Sequence, residues 1–456
     1  MRPVLTLLDL RGDRADVSGR LPRASAETVL AARATARAIV EDVRAHGDAG
    51  VARHTHELDG WDGAGGLQVA AEEAQAALDA LDPALRVALE RAAEQIRWFH
   101  EQARPRDWRA ERNGAVLGVT HRPLRRVGVY VPGGRGAYPS TVLMTVVPAR
   151  VAGVDEVVLC TPPGRDGRVN PVILAAAALA GADRILRVGG AQAIAAMAYG
   201  TATVPRCDKV VGPGNVYVAE AKQMVAADGA CGIDAHAGVT EVAIIADDTA
   251  DPRAIAADLV AQAEHDPLAT CLLITPSTAL VEAVEAVLVT EVGAARHAER
   301  IRAAFAGQGA VALVDDLDHA VAVADAFAAE HLEVQTADSA SVAAQVRVAG
   351  AVFVGPHTPV SLGDYCAGPN HTLPTGGTAR FAGGLRTDDF YVPVNWVQYD
   401  ASSLADLAPV VEALGAAEDL PAHVRAVQVR LSSCSEAVGH RTPSSSSEAV
   451  GHRTES

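Results

Sequence analysis

The sequence predicts an α/β protein built from two open units of parallel sheet, with helices in front and an extended C-terminal arm behind. Three observations lead there. From Arg126 onward, short apolar strands alternate with helical stretches, and turn residues punctuate each change. The strands are near-continuously hydrophobic, as parallel strands covered on both faces must be. Before residue 120 the apolar period is that of helices, and after Pro374 the rhythm breaks (TGGTARFAGGLRTDDFYVPVNWVQYD).

In chain order, residues 1–23 carry no clear period and read as an arm. Ser25 is a candidate N-cap for a helix to about Val43, and a second helical block covers 70–102, split near Pro83. A short strand pair is predicted around 115–121. The first sheet unit, 128–239, takes strands at 127–131, 156–160, 184–188 and 209–211, with helices at 140–152, 172–182, 191–199 and 216–227 between and after them. The second, 240–385, takes strands at 240–246, 271–275, 311–314, 334–336 and 352–354. The helices of 24–127 are expected to pack with 240–385 and complete it. Residues 386–430 form the arm, with a helix or two over 404–429. Residues 431–456 carry SEAVGHRT twice, joined by PSSS. A polar repeat that short buries no face, so a disordered tail is expected and its His440 and His452 are set aside.

Composition narrows the function. With 456 residues, 49% of them hydrophobic, the chain can build a large core. The net charge of −17, with no run of Lys and Arg, would repel a phosphate backbone, so no nucleic acid is expected. Cys160, Cys207, Cys231, Cys271, Cys366 and Cys434 are scattered with no C-x-x-C pair, the usage of a reducing compartment. Charges interrupt MRPVLTLLDLRGDR, and the longest uncharged run, 188–205, is broken by Gly and Pro. Neither a secretory signal nor a membrane span is expected, and the protein is expected in the cytoplasm.

Candidate chemistry clusters in several places. Gln262 and His265 are three apart at a predicted helix end and share a face. With Asp364 in SLGDYC and His423 in EDLPAH they would offer imidazole, carboxylate and amide oxygen to a borderline cation such as Zn²⁺ or Mn²⁺. Each also has a plain structural reading: a dipole-stabilised His, a turn Asp, a first-turn His. Glu330-His331 is read as closing a helix before a strand from Leu332. There the pair would sit at the carboxyl edge of the sheet, where open α/β proteins bind ligands, and could move protons; a solvated helix end is the alternative. Three glycine turns, Pro132 to Gly136, Gly189-Gly190 and Gly212 to Asn215, each follow a strand and open a helix. They could cradle a nucleotide or simply make economical connections, and none matches G-x-G-x-x-G.

At these residues the sequence resembles the histidinol dehydrogenase family. GVYVPGG, STVLMTVVPARVAG, VGGAQAIAAMAYGT, CDKVVGPGN, DLVAQAEHD, AAEHLEV, SLGDYCAGPNHTLPT and AAEDLPAH occur in family order over about 25–430. The resemblance implies two NAD⁺-linked oxidations, L-histidinol to L-histidinal to L-histidine, at one Zn²⁺ per subunit. By motif, Gln262, His265, Asp364 and His423 would hold the metal and, with it, the substrate. Glu330 would activate water and His331 would take protons, while Thr240, His331 and Glu418 would contact substrate. Tyr130, Gln192 and Asn215 would line the NAD⁺ site on an incomplete Rossmann-like sheet. The resemblance also implies a homodimer in which the arm brings Glu418 and His423 to the neighbour's site. Thr240 stands in AGVTEV where the family commonly has AGPSEV, and keeps the hydroxyl. Two non-dehydrogenase readings use the same residues: a zinc hydrolase with Glu330 activating water, and a ligand sensor without turnover.

Overall fold

A computed structural model describes residues 4–15, 17–23, 26–133, 136–235 and 238–439. Ser25, His236, His440 and His452 lie outside them, as does part of the first glycine turn. The chain divides into two compact units, Met1–Arg104 with Pro123–Tyr391, and Pro105–Arg122 with Val392–Ser456. Among the described residues the strands, in chain order, are β1 (Thr6–Asp9), β2 (Trp108–Arg112), β3 (Ala115–Pro123), β4 (Arg126–Tyr130), β5 (Glu156–Thr161), β6 (Arg184–Arg187), β7 (Lys209–Val211), β8 (Gly232–Ile233), β9 (Glu241–Ala246), β10 (Thr270–Thr275), β11 (Gly309–Leu313), β12 (His331–Gln335), β13 (Ala351–Val354) and β14 (Tyr391–Gln398).

The larger unit holds two parallel sheets, as the sequence predicts. One has five strands in the order β6-β5-β4-β7-β8 and the other six in the order β1-β11-β10-β9-β12-β13. β9 and β10 are buried along their whole length, which is why no alternation of polar residues marks them. In the five-stranded sheet the chain runs outward from β4 through β5 to β6, then crosses to β7 on the other side of β4. That reversal leaves a crevice between β4 and β7 at their carboxyl ends.

The N-terminal helices depart from expectation. They cover the five-stranded sheet, not 240–385. Ala36, Ile39, Val40 and Val43 join a core with Tyr130, Val158 and Ile194 on one face, and Leu89, Ala92, Ala93 and Ile96 join Val129, Leu143 and Leu159 on the other. The reason lies in helices such as Pro139–Ala152, where residues Thr141 to Ala149 are all buried. A helix apolar on every side needs a second layer outside it, and Pro83–Gln102 supplies that layer. The 1–23 arm also contributes structure: β1 pairs in parallel with β11, Thr6 opposite Ala310.

The smaller unit has the order β14-β3-β2, with β2 and β3 antiparallel. β14 fills a segment expected to be irregular. Arg109 stacks on Trp396 at 4.1 Å, and Asp400 caps the helix Ala401–Ala417 by accepting from the Ser403 amide. The second helix, Pro421–Gly439, runs past its expected end and into the first copy of the repeat. Among the described residues no helix is long and apolar enough to cross a membrane.

Candidate active site

The larger unit gathers Thr240, Gln262, His265, Glu330, His331 and Asp364 from four stretches of chain. They meet at the amino edge of the six-stranded sheet. Thr240 precedes β9, His331 opens β12 opposite Val242, and Gln262 and His265 end and follow the helix Pro252–Ala263. This corrects the expected carboxyl-edge placement of Glu330-His331. The preceding helix stops at Phe327, where Ala328 takes a left-handed conformation (φ 53°, ψ 55°) that reverses the chain. Glu330 and His331 therefore lie beyond the turn, at the beginning of the strand.

A hydrogen-bond chain links three of these groups. The Gln262 side-chain amide donates to Thr240 Oγ1 at 2.7 Å, and the Thr240 hydroxyl donates to Glu330 Oε2 at 2.6 Å. The Glu241 backbone N–H donates to the same carboxyl oxygen at 2.8 Å. Gln262 is buried, and its carbonyl oxygen Oε1 has no hydrogen-bond partner among the described residues. A buried amide oxygen left over in this way is costly unless something electropositive faces it.

Electrostatics distinguish the two central groups. Burial pushes the Glu330 carboxyl up to about 8, against the pull of the Thr240 and Glu241 donors. Burial lowers His331, keeping its imidazole neutral. Its Nδ1 lies 3.2 Å from the Glu241 carbonyl oxygen. That carbonyl can only accept, so Nδ1 carries the proton and Nε2 keeps a free lone pair. His331 Nε2 is 4.0 Å and His265 Nε2 3.9 Å from the Asp364 carboxylate. Asp364 rides on the short helix Val360–Tyr365, which comes close to β13 because Gly363 faces the Phe353 ring; a Cβ there would meet ring carbons at 2.6 Å. His371 spends both ring nitrogens on structure: Nδ1 faces the Asp364 carbonyl at 2.9 Å and Nε2 the Thr141 hydroxyl at 3.3 Å.

Sequence reasoning missed Glu241, buried and paired with Arg23 at 2.7 Å, and Glu333, buried on the same strand as His331. A carboxylate inside a strand that must be covered on both faces was the available signal. Among the described residues, no three His, Cys, Asp or Glu side chains converge closely enough for a metal cage. Glu418 caps the end of Ala401–Ala417 and His423 lies in the first turn of Pro421–Gly439, both in the smaller unit.

The predicted cofactor residues gather at the crevice of the five-stranded sheet. Tyr130 ends β4, and its hydroxyl accepts the Gly190 N–H at 3.1 Å. Gln192 is fully buried, and neither its amide oxygen nor its nitrogen has a hydrogen-bond partner among the described residues. Asn215 caps the helix Val216–Ala227, its side-chain oxygen accepting from Tyr217 and Val218 N–H. Gly212, at φ +115°, lies against the Tyr130 carbonyl oxygen, where no Cβ would fit. The buried Lys222–Asp234 ion pair braces this turn: Lys222 donates to the Gly212 carbonyl at 3.0 Å and Asp234 accepts the Gly212 N–H at 2.7 Å.

A parallel sheet with glycine turns at its switch point, together with a second sheet bearing buried Glu330 and His331 beside the half-buried Asp364, is an arrangement compatible with an α/β oxidoreductase. The sequence model of the histidinol dehydrogenase family matches residues 22–431. The histidinol dehydrogenase of Thermobifida fusca is 49% identical over 438 residues, 94% of this chain and 98% of that protein. That of Nocardia farcinica is 48% identical over 446 residues, 94% and 99% of the two chains. The crystal structure of histidinol dehydrogenase from Elizabethkingia anophelis superposes with a TM-score of 0.88 at 31% identity, covering 95% of this chain and all of that one. The chain belongs to the histidinol dehydrogenase family.

Proposed function

We propose that the protein oxidises L-histidinol to L-histidinal and then to L-histidine, reducing two NAD⁺ in succession at one zinc-dependent site, as the last steps of L-histidine biosynthesis. The observation that carries the reading is the Gln262 amide oxygen, buried and unpartnered beside His265 and Asp364. Amide oxygen, imidazole and carboxylate are donors that zinc accepts, and no thiolate is required. Gln262, His265 and Asp364 would hold the ion, with His423 as the fourth protein ligand. Bound zinc supplies electrophilic polarisation of the substrate, and bound NAD⁺ supplies the hydride acceptor.

The chain's own groups would do the rest. His331, neutral with Nε2 bare, accepts the alcohol proton as the hydride leaves, and later a proton from the aldehyde hydrate. Glu330 in its ionised form takes the proton from the water that adds to the aldehyde. Thr240 holds Glu330 in place and contacts substrate together with Glu418. Tyr130, Gln192 and Asn215 line the dinucleotide crevice, which assigns cofactor binding to 128–239 and chemistry to 240–385.

The same reading makes the protein a homodimer whose 386–430 segment brings Glu418 and His423 to the neighbour's site. Val392, Val394, Trp396, Val397, Val410 and Leu414 in the smaller unit are exposed, an apolar surface suited to a partner. Replacing His265 by Asn tests the ligand set. The dialysed wild type should take up one zinc per chain and the variant markedly less; full zinc uptake by H265N would remove His265 from the site.

A further inference from the structure

The middle of β12 in the six-stranded sheet carries a further buried carboxylate that the reaction does not use. Alternation along β12 sends Leu332 and Val334 into one core, and turns His331, Glu333 and Gln335 to the opposite face. On that face lie the helices Pro252–Ala263 and Val360–Tyr365, with Ile255, Leu259 and Val360 in the core there. Glu333 is 1% exposed. Its Oε1 accepts the Val360 N–H at 2.9 Å, and its Oε2 accepts from the Gln335 amide at 2.8 Å. Gln335 donates also to Asp258 Oδ2 at 3.2 Å, so one amide bridges the Glu333 and Asp258 carboxyls.

The three elements joined there are the ones that carry the site. β12 begins with His331. Asp258 is four residues before Gln262 on one helix, one turn away on the same face. Val360 is the first residue of the short helix whose fifth is Asp364. That helix, six residues long, has no side-chain cap of its own; the Glu333 carboxyl takes one of its orphan N–H groups. Burying a carboxyl this completely is expensive, and a hydrophobic side chain of similar volume would serve the core at least as well. What a hydrophobe cannot do is fix the helices to the strand by directed bonds.

We propose that Glu333 is a positioning residue: its buried junction with Asp258, Gln335 and the Val360 amide sets the separation of Gln262 and Asp364 and so tunes the affinity of their metal site. The inference rests on the zinc assignment above. Outer hydrogen bonds that orient metal ligands are typically worth about 10–100-fold in metal affinity.

The test is zinc affinity of the full-length protein, by competition with a chromogenic chelator, alongside thermal unfolding of the metal-free form. E333L removes the junction and keeps the volume; E333Q keeps the oxygen that accepts the Val360 N–H and gives up only the one that accepts from Gln335. The expected result is zinc binding weakened roughly tenfold or more in E333L and within about threefold of wild type in E333Q, with metal-free E333L no less stable than wild type. Should E333L not fold, V360P deletes the N–H that Glu333 accepts and trims one core side chain at a helix position that tolerates Pro, and weakened zinc binding is expected there too. Wild-type zinc affinity in E333L, or in V360P where that replaces it, would overturn the proposal, as would an E333Q as weak as E333L. If the wild type itself took up no zinc, the metal assignment would fall and this inference with it, an outcome distinct from equal affinities.

Discussion

Replacing Glu330 by Gln should separate the two oxidations. Gln keeps an oxygen to accept from the Thr240 hydroxyl and the Glu241 N–H, so the local geometry survives while the base is lost. A positioned general base contributes on the order of 10²–10⁴ in rate, so histidinal oxidation should fall by that factor. Histidinol oxidation to the aldehyde, assigned to His331, should fall by less than about tenfold. The wild type's pH profile gives a second handle. Burial pushes Glu330 up to about 8, so at pH 7 only about a tenth of it is ionised. Histidinal oxidation should therefore climb with pH, by roughly tenfold between pH 7 and 9, and E330Q should lack that limb. A divalent cation nearby would move the limb to lower pH without changing its sign. The assay is NADH absorbance from L-histidinal, and single-turnover NADH from L-histidinol, between pH 6.5 and 9.5. An E330Q enzyme that oxidises histidinal at the wild-type rate would refute the water-activation role.

Two further outcomes follow from the same geometry. In metal-free protein burial holds the Glu330 pKa at about 8, above the ordinary glutamate value of about 4.5, so its contribution to stability is complete below about 4.5 and is lost as pH rises through 8; the melting temperature of wild type should fall more than that of E330Q between pH 6 and 9, and parallel curves would contradict the burial. G212A forces a Cβ against the Tyr130 carbonyl in a conformation that favours glycine, which should cost about 1–3 kcal/mol and raise KM for NAD⁺ more than it lowers kcat; an unchanged KM would separate this turn from the cofactor.

Much of this was legible because α/β strands and helices announce themselves. The helix 216–227 matches its expected bounds to the residue, and nine strands of the two sheets match to within a few positions, while β1 and the two-residue β8 had no counterpart in the sequence reading. Residues brought together from Thr240, Gln262, Glu330 and Asp364 could be named from motif order, yet no spacing rule in one dimension says that they meet. The edge at which they meet was misplaced because the end of one helix depends on Ala328, a residue with no turn signature that is held left-handed by its surroundings. The destination of the N-terminal helices was equally hidden: their apolar faces are visible in sequence, but which sheet they cover depends on which helices elsewhere need an outer layer. β1 and β14 escaped notice since four residues flanked by charge, or a run of exposed Val and Trp, read like connection. Glu333 was passed over as part of AAEHLEV, although a carboxylate on a wholly buried strand needs a partner.

The central claim is a zinc-dependent, two-step oxidation at one site. The measurement that tests it most directly counts NADH formed per L-histidinol supplied, with NAD⁺ in excess, before chelation, after chelation and after zinc is restored. Two NADH per histidinol are expected, none after chelation, and two again once zinc is restored. A zinc-loaded protein that makes no NADH, or a chelated, metal-free one that still makes two, would contradict it.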